Sequence, residues 1–230
     1  MFIRLSLTIL SLLLLSLPAH AQDYNPYGAD GYNSPVHIAV LGDGLYSGFG
    51  LFQSDESYVA RLEERVVAER FAKKAKVHNH TNEGLSTATA YQYIPTILQE
   101  KTDIVILGLG YNDALSGYDI DTMHNHMDTI LTELYRRRVY VMLFQPTLPQ
   151  DVEHHYVSRF NDMFAKLIAR YNNVVPVTEF MKDVVKNPYA LDNDTRYPTE
   201  LGATIMLDNT SAKIAEAVQK IRRMRIELDD

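Results

Sequence analysis

His37-Ile38-Ala39-Val40-Leu41-Gly42-Asp43-Gly44-Leu45-Tyr46-Ser47-Gly48 is where an apolar run gives way to glycine. A helix-forming stretch follows soon after. A buried parallel strand enters a tight turn at a site-bearing edge in this manner. Glycines there permit positive φ or a close approach of backbone to a ligand.

Working outward, strands and helices alternate. Strand one is read at His37 to Leu41, followed by a helix from Ser54 to Lys74 in which Val59, Leu62, Val66 and Val67 recur at helical spacing. Lys76 to His80 is a short second strand. Asn82 to Thr89 is a loop, and Ala90 to Glu100 a helix that Pro95 kinks or begins. Asp103 to Leu109 is a continuous apolar strand ending in Gly110-Tyr111-Asn112-Asp113. Then come a helix (Ile120 to Arg137), a strand (Val139 to Phe144), a helix (Glu153 to Tyr171), a strand (Asn173 to Val177) and a last helix from Gly202 to Ile226. Thr199 is placed to cap that helix. Alternation of this kind predicts a five-stranded parallel sheet covered on both faces, a three-layer α/β/α sandwich. Ligands then sit beyond the carboxyl ends of the strands, where the turns after strands one, two and three meet the loop before the last helix.

The N-terminus reads as a secretory signal peptide over residues 1–21. Arg4 precedes an apolar run from Leu5 to Leu17, and Ala19-His20-Ala21 is a small-x-small cleavage pattern. The run is short for a membrane span, which needs about 20 apolar residues. Residues 22–35, rich in Tyr, Asn, Gly and Asp, read as an extended leader, and residues 36–230 as one domain. Cysteine is absent, which excludes disulfides, thiolate nucleophiles and thiolate metal sites. Export without disulfides fits a bacterial envelope, so a periplasmic or secreted location is expected. The formal charge of −7, with no basic stripe, argues against nucleic acid and anionic membranes. His78/His80, His124/His126 and His154/His155 occur in pairs, but no carboxylate pattern converges with them. Neither a metal nor a cofactor is expected. Gly42-x-Gly44-x-x-x-Gly48 is a loosened dinucleotide fingerprint, yet the end of strand two lacks the acidic residue that would hold a ribose.

Four blocks in order carry a family resemblance: Gly42-Asp43-Gly44-Leu45, the loop Asn82 to Thr89, Gly110-Tyr111-Asn112-Asp113, and Asp194-Thr195-Arg196-Tyr197-Pro198. Together the chain resembles a GDSL/SGNH hydrolase of the thioesterase, lysophospholipase and arylesterase branch. The resemblance implies a flavodoxin-like three-layer fold and serine ester hydrolysis. It assigns the nucleophile position to Gly44, the triad aspartate to Asp194 and the triad histidine position to Tyr197. It assigns three oxyanion donors to Gly44, Thr87 and Asn112, with Asp43, Gly110 and Asp113 in support.

Two departures bear on activity. The family's serine is Gly44, which has no side-chain atom to attack a carbonyl. Its histidine is Tyr197, whose hydroxyl titrates near pH 10 when unperturbed and is a poor base at neutrality. No histidine follows His155. Loss of a nucleophile removes most of the rate of such a triad. Ser47 and Ser86 are the substitutes to consider, though Gly84-Leu85-Ser86-Thr87-Ala88 lacks the second glycine of a nucleophile elbow. The expectation is a pseudo-esterase, Tyr197 plugging the former cleft. Its polar cradle would hold a small acyl, ester, acetyl, sugar-type or anionic ligand, or a protein partner. The alternative is an esterase with a rearranged nucleophile.

Overall fold

The computed structural model describes residues 34–51, 54–68 and 75–229. The proposed signal peptide and most of the leader lie outside the described residues, as does the segment 69–74.

Five parallel strands form one sheet in the order β2-β1-β3-β4-β5. They are β1 (Val36–Gly42), β2 (Ala75–Thr81), β3 (Ile104–Gly108), β4 (Tyr140–Phe144) and β5 (Val174–Val177). The three inner strands are almost wholly buried, as a sheet covered on both faces requires. Registers pair Gly42 with Gly108 at the carboxyl ends of β1 and β3. Both glycines serve Tyr46, whose ring lies against them. A β-carbon built at Gly42 falls 2.7 Å from that ring, and one at Gly108 overlaps it more closely.

Three long helices follow the expected positions, α6 (Ile120–Arg136), α7 (His154–Arg170) and α8 (Glu200–Asp229). The helix expected from Ser54 opens as a 3-10 turn (Ser54–Glu56) and is α-helical only from Tyr58, as α2 (Tyr58–Ala68), its expected end lying outside the described residues. Helix α8 starts two residues early because Thr199 caps it, its Oγ1 accepting from the Gly202 N–H at 3.3 Å. The stretch read as one helix from Ala90 to Glu100 is three pieces. They are α3 (Thr87–Ala90), a 3-10 turn (Tyr91–Tyr93) and α4 (Ile94–Gln99). Pro95 sits in the first turn of α4, where its missing N–H is harmless, so it begins a helix rather than kinking one. Two further short helices, α1 (Gly44–Ser47) and α5 (Tyr111–Leu115), were not anticipated. Each opens directly at the carboxyl end of a strand. Among the described residues no helix is long and apolar enough to cross a membrane.

Candidate active site

At the carboxyl edge of the sheet a buried carboxylate joins the first and third blocks. Asp43 is fully buried and accepts backbone N–H bonds from Leu45 at 3.2 Å, Tyr111 at 2.9 Å and Asn112 at 3.3 Å. It caps α1 and at the same time ties the turn after β1 to the start of α5. Gly110 makes that junction with φ of 102°, a left-handed conformation that glycine adopts without strain. Burial pushes the Asp43 carboxyl up to about 7, against the pull of the three N–H groups.

Tyr197 occupies the centre. A β-carbon built at Gly44 would lie 2.5 Å from Tyr197 Cε1, so the ring fills the space that a side chain at this position would need. The Tyr197 hydroxyl donates to Asn112 Oδ1 at 2.5 Å. Phe49 packs on its ring with centres 4.6 Å apart, and Tyr111 meets it edge-on at 5.6 Å. Burial raises the Tyr197 hydroxyl to about 12, with Asp43 adding to the shift. A phenol held there stays neutral through the physiological range.

Two of the three expected cradle donors, those of Thr87 and Asn112, are engaged by other groups. Thr87 does not aim its N–H into the cleft. Its N–H donates to Asp113 Oδ2 at 3.0 Å and its hydroxyl to Asp113 Oδ1 at 2.8 Å. Asp113 thereby anchors the α3 end of the loop, a role that short spacing motifs do not reveal. The Asn112 amide donates to the carbonyls of Glu83 at 2.7 Å and Leu85 at 2.9 Å. Its one acceptor oxygen is taken by Tyr197. The blocks do meet, and the Thr87 and Asn112 donors are taken up by partners within them.

Asp194 lies on an exposed loop closed by a bridge between Leu191 and Pro198. Its N–H donates to Asp192 Oδ1 at 3.0 Å, and its carboxylate has no hydrogen-bond partner among the described residues. Among the described residues neither alternative serine is hydrogen-bonded to a histidine. The Ser47 hydroxyl is buried without a partner among the described residues, and Ser86 Oγ lies 3.2 Å from Thr89 Oγ1.

Sequence reasoning missed the hollow beside the plug. It encloses about 500 Å³ between the segment after β4 and the segment before α8, and is lined by Pro149, Asp151, Lys186, Leu191, Asp192 and Arg196. Arg196 has a left-handed backbone with φ of 65° and pairs with Asp151, while its carbonyl accepts from the Tyr111 hydroxyl at 2.6 Å. A non-glycine residue held in that region is a mark of local strain.

A five-stranded parallel sheet with glycine turns and an Asn-bearing helix start at its carboxyl edge defines an SGNH-hydrolase-type α/β protein. Residues 40–205 match the GDSL-like lipase/acylhydrolase family, and the chain belongs to it. It is 25% identical over 197 residues to thioesterase 1/protease 1/lysophospholipase L1 of Escherichia coli strain K12, covering 85% of each chain. To an arylesterase of Vibrio mimicus it is 24% identical over 162 residues, or 70% of this chain and 79% of that one. In three dimensions it resembles the psychrotrophic esterase EstA of Pseudoalteromonas, with a TM-score of 0.71 at 20% identity. That match covers 80% of this chain and 98% of EstA. The SGNH esterase AlinE4 matches with a TM-score of 0.63 at 28% identity, over 80% of this chain and 97% of that one.

Proposed function

We propose that this chain is an exported member of the family that has lost acyl transfer and binds a small ligand instead of hydrolysing it. The observation that carries this reading is the Tyr197 ring standing in the space above Gly44 that a nucleophile would occupy. The neutral phenol, the spent Asn112 amide and the solvent-facing Asp194 carboxylate support it. The ligand, of acyl, acetyl or sugar type, sits in the hollow beside Arg196, whose volume falls in the range of small-molecule sites. Export rests on the Arg4, Leu5–Leu17 and Ala19-His20-Ala21 pattern.

The esterase names of the relatives favour a second reading, hydrolysis through a displaced serine. Incubating the purified chain with p-nitrophenyl acetate, p-nitrophenyl butyrate and a serine-directed fluorophosphonate separates the two. No turnover above buffer and no labelling are expected. Turnover abolished by Ser47→Ala or Ser86→Ala would replace the binding reading with the hydrolytic one.

A further inference from the structure

Away from the Tyr197 site, four titratable side chains stand in a row of close polar contacts, two of them hydrogen bonds and one an ion-pair contact. His37 Nδ1 on β1 and His78 Nε2 on β2 lie 3.0 Å apart. Their ring centres are 5.1 Å apart and the planes differ by 21°. With nitrogens in contact, that separation means the rings meet end to end in nearly one plane, as an imidazole–imidazole hydrogen bond requires. The other nitrogen of His78 lies 3.3 Å from Glu100 Oε1, and Glu100 Oε2 is 2.8 Å from His80 Nε2. His78 and His80 stand two apart on β2 and so share a face, and Glu100 ends α4. The glutamate stands between these histidines. Among the described residues no three such side chains converge on a point that could hold a metal.

Proton counting sets the behaviour of the row. With Glu100 ionised, His78 Nδ1–H and His80 Nε2–H donate to it, and His78 Nε2 accepts from His37 Nδ1–H. One added proton on the His37–His78 pair leaves their bond intact, since a bond between two ring nitrogens holds one hydrogen. A second proton puts an N–H on both facing nitrogens at 3.0 Å and removes the bond. The surroundings bias this step. Burial holds the His78 imidazole below its usual range, Glu100 opposes that, and Lys76 and His80 reinforce it. The His80 ring meets Tyr93 edge-on. At His37 the backbone N–H donates to Asp103 at 2.8 Å, and Asp103 is neutralised by Arg225 at 2.7 Å. Lys101, beside Glu100 in sequence, adds positive charge to the same end of α4.

We infer that this row is an acid-sensitive clasp on β2, closed while the His37–His78 pair carries at most one extra proton and opened by the next. Strand β2 is an edge strand paired with β1 alone. It leads within a few residues to the Glu83 and Leu85 carbonyls that hold the Asn112 amide. Opening therefore loosens the strand and the loop against which Asn112 is fixed. The clasp does not depend on whether the Tyr197 site binds a ligand.

Backbone hydrogen exchange of the full chain, corrected for intrinsic rates, tests it at about pH 7.5 and about pH 5. Protection of Val77 to Thr81 and of Leu85 is expected to fall about tenfold or more relative to β4, and His37→Gln, which cannot titrate, to flatten that fall. An equal fall in the variant, or none in the native chain, overturns the clasp. Should His37→Gln fail to fold, nitrogen-15 spectra of the native histidine rings decide instead. Two linked steps for His37 and His78 sustain it, and two independent single steps sink it.

Discussion

Asp43 shows how one side chain can organise an edge and still be under electrostatic load. Three N–H groups stabilise its ionised form, yet full burial outweighs them and raises its carboxyl to about 7. The native state therefore holds a proton that the unfolded chain, with an ordinary value near 3.8, gives up. This contribution to stability is complete below the unfolded value and is lost as pH rises through the folded one. The shift corresponds to a loss of up to about 4 kcal/mol between about pH 4 and about pH 7. In Asp43→Asn the acceptor for Leu45 is retained and the titration is gone. Denaturant unfolding at several pH values should show native stability falling relative to the variant across that window. Parallel curves would mean that the N–H groups win and the carboxylate is ionised throughout.

Among the elements, α8 is anchored near its carboxyl end by a buried ion pair. Arg225 is 2% exposed and donates to both oxygens of the fully buried Asp103 at 2.8 and 2.7 Å. It also donates to the Ser34 carbonyl at 3.0 Å, so the helix end clamps the entrances of β1 and β3 together. Arg225→Ala leaves the Asp103 carboxylate buried with its principal counter-charge gone. A loss of about 3–5 kcal/mol in unfolding free energy is expected, much of it recovered when Asp103 is replaced by Asn in the same chain. A loss under about 1 kcal/mol would show that water reaches the pair. Elements of this length were legible in the sequence, because β3 is an unbroken apolar run and α6 and α7 keep helical spacing. Helix α8 was legible in its body and cap but not its end, since no glycine or proline stops it. The short helices α3 and α5 escaped because tertiary hydrogen bonds to Asp113 and Asp43 hold them, and α1 escaped because a single turn capped by Asp43 is too short to show a periodicity.

Across the whole molecule, the site in the proposed reading is drawn from four distant segments: the turn after β1, the loop after β2, the start of α5 and the loop before α8. The sequence places Gly44 and Tyr197 inside the outer two of these blocks, at positions the proposed reading takes as changed. It could not show that the changes fit each other, since only the fold brings the Tyr197 ring over Gly44. Nor could it show the direction of the Asn112 amide, which depends on the Glu83 and Leu85 carbonyls rather than on its own motif. This mutual fit makes reversal a two-residue problem. Gly44→Ser alone drives a side chain into the Tyr197 ring and should cost about 1–3 kcal/mol of stability while staying inert. Tyr197→His alone supplies an imidazole with nothing to activate. Together the serine occupies the vacated space beside a histidine three residues beyond Asp194, and p-nitrophenyl acetate hydrolysis above both single variants is expected. If the doubly changed chain folds but shows no turnover, the Asn112 amide is still held by the loop carbonyls and the oxyanion goes unstabilised, which a loss of even one donor makes costly by about two to three orders of magnitude.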